Sequence, residues 1–155
     1  MKCTFFGHRD AENSIVPVLE EAIEDLIINK NTDVFYVGNQ GGFDAMVKRI
    51  LIRMKSKYPH IRFYVVYAYY PTEKTKEDDS VETFFPEGLE KVPPRFAIDK
   101  RNRWMIKNAD FVITYVQYTV GGAAKYKAVA EKANKTVVHL DAKSRLSGKP
   151  NEQIL

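Results

Sequence analysis

One cysteine, one tryptophan and no long apolar run set the first limits on this 155-residue chain. With Cys3 alone, no disulfide can form within the chain, and a reducing, cytoplasmic compartment is the expected setting. The densest apolar stretch, Phe63-Tyr70, falls far short of the roughly 20 residues that a helix needs to cross a bilayer, so no membrane association is expected. The charged run His8-Arg9-Asp10 comes too early to leave room for the apolar core of a signal peptide. His8, His60, His139 and Cys3 have no partners at ligand spacing, which argues against a metal site. Neither the G-x-G-x-x-G dinucleotide fingerprint nor a P-loop occurs, and no cofactor is expected. Internal repeats and low-complexity tracts are missing too.

What is present is glycine in a particular place. Gly7 follows the strand-like run Lys2-Phe6, Gly38, Gly41 and Gly42 follow Asp33-Val37, and Gly121 and Gly122 follow Phe111-Val116. A strand ending in glycine lets backbone approach a ligand closely, and the helix after it offers unpaired N–H groups and a partial positive charge. Three such turns on one sheet edge would make a single anion site.

Apolar residues at helical spacing follow two of these turns. Ile15, Val18, Leu19, Ala22, Ile23, Leu26 and Ile27 form one stripe, and Met46, Val47, Ile50, Leu51 and Met54 another. A third strand is expected near Arg62-Tyr67, whose almost continuous apolar character suits a strand covered on both faces. From Tyr70 to Ile98 the prolines and the run Glu77-Asp78-Asp79 break every period, and the segment reads as a partly folded flap over about 70–98. A short basic helix over Lys100-Asn108, a strand over Phe111-Val116, a helix from about Gly122 to Asn134 and a strand over Thr136-Leu140 complete the pattern. Alternating strands and helices predict an α/β fold, a doubly wound, Rossmann-like three-layer sandwich on a five-stranded parallel sheet of order 3-2-1-4-5. The expected unit spans 1–141, with a short tail over 142–155. In that order the three glycine turns lie side by side at the switch point, where ligands bind outside the carboxyl ends of the strands.

The same segments carry a resemblance. CTFFGHRD at Cys3-Asp10, VGNQGGFDAM at Val37-Met46, RNRWMIKNADFVITYV at Arg101-Val116 and GGA at Gly121-Ala123 resemble the SLOG superfamily, which also takes in Lonely Guy and DprA-type domains. More narrowly they resemble its bacterial and phage branch of small single-domain proteins labelled DUF1273, over about two thirds of the chain and in the expected order. The resemblance implies a Rossmann-like domain that binds a nucleotide or nucleotide derivative, often as a homodimer. In the Lonely Guy branch a PGGxGTxxE motif and an upstream Arg hydrolyse a base–ribose bond. Here the matching segment runs Thr119-Val120-Gly121-Gly122-Ala123-Ala124-Lys125-Tyr126-Lys127, with no proline before the glycines and no acid after them. Cleaving that bond needs a carboxylate or its equivalent, so the reading leans away from an enzyme.

The candidate binding residues are therefore Gly7, His8, Arg9, Gly38, Asn39, Gln40, Gly41, Gly42, Asp44, Arg103, Tyr118, Thr119, Gly121 and Gly122, with His8 and Asp44 also the candidates for any acid–base role. Arg101, Asn102, Arg103 and Trp104 form the densest basic-aromatic cluster. A net charge of +4, spread along the chain, is weak evidence for nucleic acid, which is not an expected partner, and better evidence for a local anionic ligand. The expected function is binding or sensing of a small nucleotide at the sheet edge, with a phosphoribohydrolase-like glycosidase as the alternative.

Overall fold

The computed structural model describes residues 1–117 and 121–141. The elements run in the order β1 (Lys2–Gly7), a short 3-10 turn (Asn13–Ile15), α1 (Val16–Asn29), β2 (Val34–Val37), α2 (Gly41–Lys57), β3 (Arg62–Val66), β4 (Thr83–Phe84), a second 3-10 turn (Leu89–Lys91), α3 (Pro94–Lys107), β5 (Phe111–Tyr115), α4 (Gly122–Lys132) and β6 (Thr136–His139). All pairings are parallel, and the sheet order is β4-β3-β2-β1-β5-β6. The five expected strands thus occur in the expected order, and a sixth extends the edge. The sandwich has its chain reversal between β1 and β5, which pair from Cys3 with Phe111 through Gly7 with Tyr115.

Side chains alternate across the sheet, and each face has its own core. Cys3, Phe5, Phe35, Val37 and Ile113 pack on one face against Leu19, Ile23 and Leu26 of α1 and Met46, Val47 and Ile50 of α2. Phe6, Tyr36 and Val112 face the other side, where Met105 and Ile106 of α3 and Tyr126 and Ala130 of α4 cover them. This period of two, read with the 3.6-residue stripes of the helices, is what makes three layers.

The expected flap is tied down at several points. Thr83 and Phe84 pair with Val65 and Val66, Lys48 bonds the Glu77 carboxylate at 2.6 Å, and Tyr67 Oη accepts the Glu77 N–H at 2.7 Å. Phe84 stacks on Trp104, with ring centroids 4.9 Å apart. The flap also ends sooner than the sequence predicts, because α3 starts at Pro94 rather than Lys100. Proline lacks the N–H that the first helical residue leaves unpaired, and its fixed φ suits that position, so a residue read as an interruption is the helix start. No helix among the described residues is long and apolar enough to cross a membrane.

Candidate functional site

At the carboxyl end of the sheet, where β1 and β5 diverge, the loops after the strands enclose a cavity of about 380 Å3. Gly7, His8, Arg9 and Asp10 line it from the β1 turn, Gln40 and Asp44 from the start of α2, Ile98, Arg101 and Asn102 from α3, and Gly122, Ala123 and Tyr126 from α4. The glycine turns do converge, but most of their glycines serve packing. A Cβ on Gly7 would overlap the Phe43 ring, and one on Gly42 would lie 2.7 Å from the Arg9 carbonyl oxygen, which accepts the Gly42 N–H at 2.7 Å. Gly41 has φ +88° and presses on Arg9, where a Cβ would come within 2.9 Å of the Arg9 Cα. The amide end of α2 is thus spent on the β1 loop and on Asp44, whose Oδ2 accepts the Gln40 N–H at 2.9 Å. The turn at α4 differs: among the described residues nothing lies within 4 Å of a Cβ built at Gly121 or Gly122, and no side chain caps the helix.

The most deeply buried charged residue in the cavity is Arg101, only 2% exposed. Its Nη1 donates to the Val66 carbonyl at 2.7 Å and to Asn39 Oδ1 at 3.3 Å, and its Nε donates to Asn102 Oδ1 at 2.7 Å. Nη2 has no hydrogen-bond partner among the described residues. Burial lowers the Arg101 pKa, and the nearby Asp44 carboxylate opposes that. Gly38 backs this pair, since a Cβ there would meet Asp44 Oδ2 at 2.8 Å and Arg101 Cζ at 3.1 Å. Burial pushes the Asp44 carboxyl up to about 6, against the Gln40 N–H bond and the Arg101 charge, both of which favour its ionised form. A fixed guanidinium beside a carboxyl that titrates near 6, facing an open helix N-terminus, can hold an anionic oxygen.

Of the candidate residues, Gly7, His8, Arg9, Gln40, Asp44 and Gly122 line the cavity, while Gly38 and Asn39 support Arg101 from behind. His8 is nearly buried, its Nε2 accepts the Gln117 N–H, and its ring lies edge-on to Tyr115. Arg103 sits elsewhere, exposed and bonded to Asp99 Oδ2 at 3.0 Å. Tyr118 and Thr119 lie outside the described residues, as does the tail over 142–155. The arginine that α3 gives the cavity is Arg101, and the signal for it was in the sequence: it falls on the buried stripe Ala97, Arg101, Met105, where a cation needs partners. Beside the cavity, Asp99 joins α3 to α4, accepting Tyr126 Oη at 2.7 Å and pairing with Lys125 at 3.1 Å. Burial pushes the Asp99 carboxyl up, but bonds from Tyr126, Lys125 and Arg103 together hold it at about 2.

No protein-family model and no curated protein sequence matches the chain. Solved structures do. DNA processing protein A from Helicobacter pylori, a protein that binds single-stranded DNA, matches over 100% of this chain and 74% of its own length, with a TM-score of 0.64 and 18% identity. DNA processing protein A from Streptococcus pneumoniae matches over 96% of this chain with a TM-score of 0.64 and 16% identity, and this chain spans 56% of that one. The Rossmann-like fold is shared with both. That likeness corrects two expectations drawn from the sequence, that the ligand is a small nucleotide to be sensed or hydrolysed, and that nucleic acid is not an expected partner. Net charge averages over a surface, whereas a polyanion meets only the local arrangement of cations, so the total of +4 does not decide between these partners.

Proposed function

We propose that this chain binds single-stranded nucleic acid, with a backbone phosphate seated in the cavity at the carboxyl edge of the sheet. The observation that carries the reading is the buried Arg101, whose Nη2 has no partner among the described residues and which shares the cavity with the open start of α4. A phosphate there would receive Nη2, the exposed Arg9 guanidinium from the β1 loop, and N–H groups of the first turn of α4 at Gly122 and Ala123. The fold shared with a single-stranded-DNA-binding protein supports the ligand class. The quoted motifs support placement in the branch labelled DUF1273, as one unit over 1–141 that works as a homodimer in the cytoplasm. Light scattering that finds only monomer at high concentration would remove the dimer.

Fluorescence anisotropy with a labelled oligothymidylate of about 20 nucleotides tests the reading, this length exceeding the site of one small binding domain. Affinity falls as salt rises from about 50 to about 200 mM, with a log–log slope of about −0.7 for each phosphate held. Arg9→Gln, at an exposed position, makes the slope shallower by about that amount without unfolding the protein. Arg101→Gln weakens binding further, and circular dichroism controls for folding. No binding at about 100 µM protein and low salt, the weak end of ordinary non-specific binding, overturns the proposal.

A further inference from the structure

The walls of the cavity are tied to one another where they meet. The Gly42 N–H, donating to the Arg9 carbonyl at 2.7 Å, joins α2 to the loop after β1. Arg101, donating to Asn39 Oδ1 at 3.3 Å and to the Val66 carbonyl at 2.7 Å, joins α3 to the loop after β2 and to the end of β3. Tyr126 Oη, donating to Asp99 Oδ1 at 2.7 Å, joins α4 to α3. The Gln117 N–H, donating to His8 Nε2, joins the segment after β5 to the loop after β1. Below these walls the lining includes Phe5, Phe6 and Met105, all buried. A groove on a surface is lined by exposed side chains and runs open at both ends, whereas this cavity reaches into the core between elements that hold each other in place.

That shape selects among phosphates. A phosphodiester within a strand carries a sugar on each side, so it reaches a buried cation only along a channel with an entrance and an exit. A phosphate at the end of a strand carries one sugar and needs only a mouth. Nη2 of Arg101, unpartnered among the described residues, belongs to a side chain 2% exposed, so a phosphate that meets it leaves most of its water behind. The volume of about 380 Å3 lies at the low end of the roughly 300–1,000 Å3 that enclose one small ligand, room for a single terminal nucleotide.

Charge points the same way. A phosphomonoester carries about −1.5 to −2 at neutral pH and three strong acceptor oxygens, more of each than a diester. Arg101 Nη2, the Arg9 guanidinium and the N–H groups at Gly122 and Ala123 offer donors from three elements. Asp10 and Asp44 also line the cavity. Asp10 is exposed, where water and salt screen it. Asp44, pushed up to about 6 by burial, takes up a proton as an anion approaches and can then donate its O–H to a phosphate oxygen.

We propose that the phosphate held in this cavity is the terminal phosphomonoester of a single strand, with the last nucleotide inside and the rest of the chain leaving by the mouth. This rests on the nucleic-acid reading above and specifies which phosphate enters. The 5′ and 3′ ends share this chemistry, and the experiment separates them.

The test uses oligothymidylate of about 20 nucleotides, labelled at an internal base, in four forms: with a 5′-phosphate, with a 3′-phosphate, with hydroxyls at both ends, and ligated into a circle. By anisotropy at least one phosphorylated strand binds about tenfold or more tightly than the hydroxyl-ended strand, the gain of added charge-assisted hydrogen bonds, and the circle binds no better than the hydroxyl-ended strand. Phosphatase treatment removes the gain. Gly122→Asp sets a carboxylate at the start of α4, where nothing among the described residues crowds a side chain, and abolishes the gain with the fold kept. Arg101→Gln does the same, with circular dichroism as the control for folding. A gain that survives in either folded variant places the strand end elsewhere and overturns the proposal. If the phosphorylated strands bind no more tightly than the hydroxyl-ended one, or the circle matches them, the terminal phosphate is wrong and the nucleic-acid reading stands. If no form binds, both fall.

Discussion

Glycine and aspartate show how single residues here answer to their neighbours more than to a ligand. Gly7 is required because the Phe43 ring occupies the place of a side chain, so Gly7→Ala overpacks the junction of β1 and α2 and lowers stability by about 1–3 kcal/mol, measurable by urea denaturation. Asp44 makes a pH-dependent contribution. Its carboxyl is raised from 3.8 in the unfolded chain to about 6, so the folded state binds the extra proton between those values. Stability therefore falls as pH rises from about 4 through about 6, by about 2 kcal/mol once partial solvent screening at the cavity is allowed for. Asp44→Asn flattens that part of the profile in a pH series of denaturation curves. Protonation also removes a negative charge beside Arg101, so oligonucleotide affinity rises as pH falls through 6 in wild type and not in the variant.

Helices α3 and α4 meet at a clasp whose centre is Asp99. Its carboxyl is held at about 2, below its unfolded value, so the stability it confers is present above about pH 4 and is lost as pH falls towards 2. Asp99→Ala removes bonds from Tyr126, Lys125 and Arg103 and costs about 1–2 kcal/mol at neutral pH, with a third of the Asp99 side chain open to solvent. The loss appears as a lower Tm, and it shrinks in acid. Strand β4 is the opposite case, two residues long at the sheet edge and held by Phe84 on Trp104. Phe84→Ala changes the Trp104 emission and speeds hydrogen exchange at the Val65 and Tyr67 amides, which donate to the Glu82 and Phe84 carbonyls, while global Tm stays close to wild type.

For the molecule as an assembly of loops around one sheet edge, the arrangement matters more than the total charge of +4. Arg9, Gln40, Arg101 and Gly122 belong to separate parts of the chain, and only the order β2-β1-β5 brings them to a common cavity. Much of this was legible. The stripes beginning at Ile15 and Met46 and the apolar run at Arg62-Tyr67 gave α1, α2 and β3, because burial writes its period directly into side-chain type. Strand β4 was not legible, since two exposed residues carry no period and their pairing is decided by Val65, Val66 and Trp104.

Alternating patterns in the chain were enough to set the parallel sheet and its order, because a right-handed crossover leaves few other ways to cover both faces. Which glycines stay open and which arginine is buried depended on the fold. Gly41 and Gly42 are closed by the backbone of Arg9, and Arg101 instead of Arg103 enters the cavity because it shares the buried stripe of α3 with Ala97 and Met105. Contacts between residues far apart in sequence leave no local trace, and the chemistry of this site is made of them.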